Sequence, residues 1–339
     1  MAKVLRGPAG VSTAARALRA GRLVGVPTET VYGLAADALN ARACRRIFSA
    51  KGRPGTDPLI VHVAGMRQAE EVAMAGPAAR TLMRAFWPGP LTLVLPKRDV
   101  VPAVVTAGRD SVAVRMPAHP LMRRAIAAAG RPLAAPSANA FGYVSPTCAE
   151  HVQQGLGKRI PFILDGGPCA IGVESTIVDM RDEARPRLLR PGKIGRTEIE
   201  RVLGRRVPAA GRSVGKGRAG MLAPGMLARH YSPRTPLILR GKIPARELAR
   251  AKADAAYVLF SATAAVRRRK NVVAWAERGD GPAAKASGVA RMARRLFARL
   301  RELDQGQWSV IYAEMAPERG RDRGLAEAIN DRLRRAAAR

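Results

Sequence analysis

Through residues 1–206 the chain alternates short apolar runs with longer Ala- and Arg-rich stretches, the rhythm of a layered α/β domain. A helical pattern from about residue 12 ends at Gly21 and feeds a strand over 23–26. Asn40 is placed to cap a second helix, which runs to Ala50 before Lys51-Gly-Arg-Pro54 stops it. Further strands are predicted over 59–63, 91–95, 111–115, 162–165 and 175–179. Helices fall between them near 78–86, 120–129 and 147–154. Polar residues with chemical potential gather at strand ends and in loops, where α/β proteins place ligands.

The pattern breaks over 207–236, where Gly, Pro, Arg and Lys dominate without amphipathic period, and this stretch reads as a linker. A smaller α/β unit follows over 237–339. Strands are predicted over 237–239, 257–260, 271–274 and 308–313. A long helix after Pro282 carries Val289, Met292, Leu296, Leu300 and Leu303 on one face, and a last helix carries Leu325, Ile329 and Leu333 at four-residue spacing. No internal repeat stands out.

Composition narrows the class. No run of 18 apolar residues exists, and the opening Met-Ala-Lys-Val-Leu-Arg is not a signal-peptide segment, so a soluble, cytoplasmic protein with no membrane partner is expected. Cys44, Cys148 and Cys169 are widely spaced with no C-x-x-C pair, which argues against a disulfide framework or a structural zinc site. Net charge is +33, of which +11 falls in residues 1–180 and +22 in 181–339. A basic surface of this kind favours polyanions such as RNA, nucleotides or an anionic membrane, and direct contact with tRNA or double-stranded RNA stays open. Arg beside abundant Ala also arises from base composition, with solvated Arg on helix surfaces, so charge alone does not establish RNA binding.

The stretch Asp165-Gly-Gly-Pro-Cys-Ala-Ile-Gly-Val-Glu-Ser-Thr-Ile-Val-Asp179 joins two predicted strands through a turn rich in glycine. Glycines let backbone approach a ligand, and the Ser175 and Thr176 hydroxyls can hold carboxylate or phosphate. Gly215-Lys-Gly-Arg-Ala-Gly220 matches G-x-G-x-x-G, but no apolar strand precedes it and no helix pattern directly follows, so it is not a dinucleotide fingerprint. No G-x-x-x-x-G-K-[ST] loop is present either.

Several segments resemble the YrdC family when read together. They are Pro27-Thr-Glu-Thr-Val-Tyr-Gly-Leu34, Lys51-Gly-Arg-Pro54 with Pro58-Leu-Ile-Val-His-Val63, Phe86-Trp-Pro-Gly-Pro-Leu-Thr92, Ser111-Val-Ala-Val-Arg-Met-Pro117, Ala135-Pro-Ser-Ala-Asn139 and the 165–179 stretch. Pro224-Gly-Met-Leu-Ala-Arg-His-Tyr-Ser-Pro233, the 296–304 segment and the 324–334 segment resemble the linker and second domain of the family's long form. The resemblance implies a twisted mixed sheet flanked by helices over 1–206, a linker and candidate active-site lid over 207–236, and a Rossmann-like three-layer α/β domain over 237–339. It implies a nucleotidyltransferase that converts L-threonine, bicarbonate and ATP to threonylcarbamoyl-AMP and pyrophosphate. That is the first step of tRNA threonylcarbamoyladenosine modification, with hand-off to a separate threonylcarbamoyl transferase complex.

By the same resemblance Lys51, Arg53, Ser137 and Asn139 form the signature catalytic tetrad. Thr30, His62, Arg115 and Ser175 would hold L-threonine. Arg53, Asp57, Ser111, Ser137, Ser145, Arg190 and Tyr231 would line the ATP side, with Tyr231 folding over the occupied site. The residue types suit the chemistry: no enzyme nucleophile is needed, and the site must orient two anionic reactants and offset charge on the phosphates. Lys51 supplies a compact cation, Arg53 a planar fork, and Ser137 and Asn139 neutral hydrogen bonds. Mg²⁺ is expected to ride on the ATP phosphates, with no protein metal site. Asp57 stands where many relatives carry Asn.

Each residue also has a plainer reading. Lys51 and Arg53 could complement a helix C-terminus, His62 could be a structural histidine, Ser137 and Asn139 could shape a turn, and Trp87 could anchor the core. Two other functions remain open: carbamoyl-phosphate-dependent adenylation, whose carriers have zinc-finger Cys pairs, and an RNA-binding module using a basic concave face.

Overall fold

The computed structural model of the chain describes residues 1–210, 222, 225, 227, 230–261, 269–275 and 286–338. The Gly215–Gly220 match, most of the linker motif upstream of His230, and Pro282 lie outside the described residues. The first half is built on strands β1 (Lys3–Leu5), β2 (Val24–Val26), β3 (Gly33–Asp37), β4 (Ile60–His62), β5 (Leu91–Pro96), β6 (Ser111–Arg115), β7 (Leu133–Ala134), β8 (Phe162–Leu164), β9 (Thr176–Asp179) and β10 (Arg187–Arg190). They align as one mixed sheet in the order β1-β8-β2-β3-β7-β4-β6-β5-β9-β10. Parallel pairs such as β4 with β6 and β5 with β9 alternate with antiparallel ones such as β5 with β6.

Helices α1 (Gly7–Arg19), α2 (Ala41–Lys51), α3 (Met66–Val72), α4 (Pro77–Phe86), α5 (Ala103–Thr106), α6 (Pro120–Ala129), α7 (Ala149–Leu156) and α8 (Arg196–Leu203) lie between the strands. α1 packs on α6, and α4 on α8. Asn40 caps α2 as expected, accepting from the Ala43 N–H at 3.0 Å. Gly52 closes that helix in the left-handed region at φ 63°, which glycine adopts without strain. α1 begins five residues earlier than residue 12, because Pro8 stands in its first turn, where a missing N–H is harmless. β3 is buried at every position and so lacks the alternation that marks a half-exposed strand.

The second half forms a parallel sheet, β11-β14-β12-β13, from β11 (Leu237–Arg240), β12 (Ala255–Leu259), β13 (Val272–Ala274) and β14 (Val310–Glu314). It carries helices α9 (Ala245–Ala249), α10 (Gly288–Asp304) and α11 (Arg323–Ala337). Ser287 caps α10 by accepting from the Ala290 N–H at 3.0 Å. Residues 207–210 do not behave as linker. Val207 is buried, and the Ala210 N–H donates to Leu188 O at 2.8 Å, laying this segment beside β10.

The two halves share one apolar cluster. Val31, Val144, Ile171 and Val173 from the first half pack with Tyr231 and with Val289, Met292 and Phe297 of α10. Gly172 makes this docking possible. A Cβ there would lie 2.3 Å from the Ala293 carbonyl oxygen of α10, and the residue sits at φ 85°. The glycine expected to admit a ligand therefore admits a helix backbone.

Candidate active site

Four strand ends converge on one cavity. His62 closes β4 directly beside Arg115, which closes β6. Ser175 immediately precedes β9, and Arg190 closes β10. Around the cavity the fold brings together Thr30, Arg53, His62, Arg115, Ser137, Ser175, Arg190 and Tyr231. These are eight of the site residues expected from the sequence. The other five, Lys51, Asp57, Ser111, Asn139 and Ser145, are not part of the lining.

On one side Arg115 donates from Nη1 to Thr30 Oγ1 at 2.9 Å and from Nε to Gly89 O at 3.1 Å. Its Nη2 also lies 2.6 Å from Glu29 Oε1, a buried ion pair. Burial pushes the Glu29 carboxyl up, but the Arg115 charge and hydrogen bonding outweigh it and hold the group below its usual range. His62 Nδ1 sits 3.2 Å from Ile60 O, so that nitrogen carries the proton as donor. Burial, and next the Arg115 charge, push His62 down to about 3, keeping it neutral.

Ser175 is gripped from both sides. Its Oγ is 2.7 Å from Thr92 Oγ1 and accepts from Arg190 Nη2 at 3.1 Å, while Arg190 Nε donates to Ser175 O at 3.1 Å. Arg53 turns its fork onto its own loop, donating from Nη2 to Pro58 O at 2.7 Å and pairing with Asp57 Oδ2 at 2.9 Å. Among the described residues the Asp57 oxygens accept no aligned hydrogen bond. Burial raises the Asp57 carboxyl, against the lowering charges of Arg53, Lys51 and Arg190. Asp at this position thus neutralises a buried guanidinium.

Lys51 does not point its ammonium into the cavity. Nζ donates to Ser137 O at 2.5 Å and to Asn139 O at 2.6 Å, joining the end of α2 to the 137–139 loop. Burial, then the neighbouring Arg53 charge, pull its pKa well below the usual lysine value, with Asp57 opposing. Asn139 in turn donates from Nδ2 to Ala140 O and Tyr143 O, both at 2.8 Å. Both residues shape the loop that presents Ser137. Ser111 heads β6, at the opposite end of the strand from Arg115.

Tyr231 closes the cavity from the second half. It is 1% exposed, stacks on Phe297 with centroids 5.5 Å apart, and holds a non-glycine backbone at φ 63°. A bulky residue in that region is strained by about 1–3 kcal/mol and persists only where its surroundings over-determine it. Its hydroxyl, like the Nδ1 of the neighbouring His230, is buried without a hydrogen-bond partner among the described residues. Both side chains face the cavity wall.

Sequence reasoning passed over Glu29, Thr92, Glu174, His230 and Arg332. All five lie inside quoted segments, and Glu29, Glu174 and His230 stand beside Thr30, Ser175 and Tyr231, which were singled out. Glu174 accepts from Ser145 Oγ at 2.7 Å, and its other oxygen accepts from Arg332 Nε at 2.9 Å. Arg332 had one signal: it falls seven residues after Leu325 and three after Ile329, on the apolar face of its helix.

Residues 16–192 match the family profile described as telomere recombination (Sua5/YciO/YrdC). Residues 194–338 match the profile described as the threonylcarbamoyl-AMP synthase C-terminal domain. A threonylcarbamoyl-AMP synthase of Pyrococcus abyssi is 44% identical over 333 residues, covering 96% of this chain and 94% of its own length. One from Bacillus subtilis is 42% identical over 342 residues, covering 96% and 92%. The crystal structure of P. abyssi Sua5 complexed with L-threonine superposes with a TM-score of 0.86 at 40% identity, over 99% of this chain and 97% of that one.

Proposed function

Because the chain belongs to the Sua5/YciO/YrdC family, in its two-domain form, we propose that it is an enzyme making threonylcarbamoyl-AMP from L-threonine, bicarbonate and ATP, with release of pyrophosphate. The observation that carries this reading is the convergence of three buried guanidiniums, Arg53, Arg115 and Arg190, with the hydroxyls of Thr30, Ser137 and Ser175 on one cavity. Such a site suits reactants that carry carboxylates and phosphates and need no enzyme nucleophile.

The amine of threonine and bicarbonate condense to an N-carboxy group with loss of water. A carboxylate oxygen of that group then attacks the α-phosphorus of ATP, the bond to the β-phosphate oxygen breaks, and pyrophosphate leaves. Arg115, set between Thr30 and Glu29, is assigned to the threonine carboxylate, with Thr30, His62 and Ser175 around the rest of the amino acid. A neutral His62 adds no competing cation there. Arg53, Arg190 and Ser137 are assigned to the phosphates, with Ser111 and Ser145 further along the nucleotide side. Lys51 and Asn139 act by holding the Ser137 loop. Tyr231 covers the site and excludes water from a labile mixed anhydride.

Among the described residues no three His, Cys, Asp or Glu side chains converge to hold a metal. Mg²⁺ is proposed to enter as part of MgATP, since it often keeps its waters and needs few protein ligands. Hand-off to a transferase, contact with tRNA and a cytoplasmic setting belong to the same proposal; no helix of the described residues is long and apolar enough to cross a membrane.

The test is pyrophosphate release from MgATP with threonine or bicarbonate omitted in turn. Release that requires both, with the KM for threonine raised at least tenfold in Arg115→Met, is expected. Release indifferent to threonine would overturn the reading and favour carbamoyl-phosphate-dependent adenylation or an RNA-binding role.

A further inference from the structure

The face of α11 formed by Leu325, Ile329 and Leu333 is apolar, yet Arg332 shares it at 1% exposure. Burying a guanidinium is expensive unless its charge is matched. Arg332 reaches out of the second domain to do so. Nε donates to Glu174 Oε2 at 2.9 Å, Nη1 donates to Pro191 O at 2.7 Å, and the guanidinium lies 5.7 Å from the centre of the Tyr231 ring. Asp331 also lies 3.2 Å from Nη1, but it is shared with Arg335 at 3.0 Å.

Glu174 lines the cavity and adjoins Ser175 in sequence. Its second oxygen accepts from Ser145 Oγ at 2.7 Å. An uncompensated carboxylate in that wall would repel a triphosphate through a poorly screened interior. Arg190, another guanidinium of the lining, donates to Ser175.

We propose that Arg332 is a positioning residue supplied by the second domain: it neutralises Glu174 and holds that carboxylate against Ser145, so that Glu174 does not offset the positive charge that Arg53 and Arg190 present to the phosphates. This rests on the assignment of ATP to that side. It gives the second domain a direct part in substrate binding, although it has no catalytic constellation of its own.

The experiment is calorimetric titration of full-length wild type, Arg332→Met, Glu174→Gln and the double variant with MgATP, and separately with L-threonine. Arg332→Met should weaken MgATP at least tenfold while leaving threonine within twofold. The double variant should return MgATP affinity to within threefold of wild type. A merely structural defect would lower the number of binding sites for both ligands alike and would leave each Kd where it was. Folded Arg332→Met that binds MgATP as wild type does would overturn the proposal. If Arg332→Met does not fold, the double variant, which has no orphaned carboxylate, decides: near-normal MgATP affinity supports the neutralising role, and weak affinity refutes it. If wild type binds MgATP but releases no pyrophosphate, the proposed reaction fails while the ratio of affinities still judges Arg332.

Discussion

Replacing Lys51 by methionine separates two roles that a lysine in such a motif can play. The side chain is 2% exposed and ends on two carbonyls, Ser137 O at 2.5 Å and Asn139 O at 2.6 Å. Methionine keeps the length and removes every donor. An orphaned buried carbonyl costs about 1–3 kcal/mol. The Asn139 contact is fully buried and the Ser137 contact partly so, which places the gross loss at about 2–4 kcal/mol. Removing an ammonium whose charged form burial already disfavours returns part of this, leaving about 2 kcal/mol. For a unit of this size that corresponds to a melting temperature lower by roughly 4–8 °C. Catalysis should fall as well, because a shift of about 1 Å in Ser137 costs about a hundredfold. Scanning calorimetry and pyrophosphate release on the same preparation test both halves. A Lys51→Met protein that melts within a degree or so of wild type but is inactive would refute the reasoning, since Lys51 would then act on the reactants and not on the loop.

Two other outcomes follow from the geometry. Gly172→Ala places a methyl 2.3 Å from the Ala293 carbonyl at φ 85°, so α10 must retreat. Scanning calorimetry should then show a lower melting temperature than wild type; an unchanged one would mean the shared cluster does not depend on this close approach. The second outcome concerns acid. His62, pushed down from 6.5 to about 3, takes up its proton more readily in the unfolded chain, so its contribution is complete above pH 6.5. That contribution drains as pH falls from 6.5 toward 3, at up to about 1.4 kcal/mol per pH unit. Urea melts at pH 7 and pH 5 should show His62→Gln losing about 2 kcal/mol less than wild type over that interval, and equal losses would contradict it.

Where one residue type does one local job, the chain could be read directly. Asn40 before an apolar period is a cap wherever it is met, and 111–115 is a strand at the residues the pattern marks. β3 and β7 escaped because one is buried throughout and the other is two residues long, so neither shows a period. In the site, Arg115 and Ser175 lie in quoted motifs, and their positions at strand ends follow from the alternation itself, whereas Arg190 closes β10, a strand the pattern did not mark. Motif membership could not orient Lys51, because whether an ammonium at a helix end faces a cavity or a neighbouring carbonyl is settled by a loop 86 residues away. Arg332 is the instructive omission: a charged residue on an apolar helix face is a conflict between period and chemistry, and such conflicts mark places where a distant charge waits.

The shared apolar cluster also constrains how a two-domain chain of this kind can be remodelled over generations. A chain shortened to its first sheet would present Val31, Val144, Ile171 and Val173 to water as one contiguous patch, with the empty seat of α10 at Gly172. Such a patch invites self-association. Loss of the second domain therefore exposes the remaining chain to self-association unless those four positions turn polar, and each such substitution weakens the docking on which the longer chain depends.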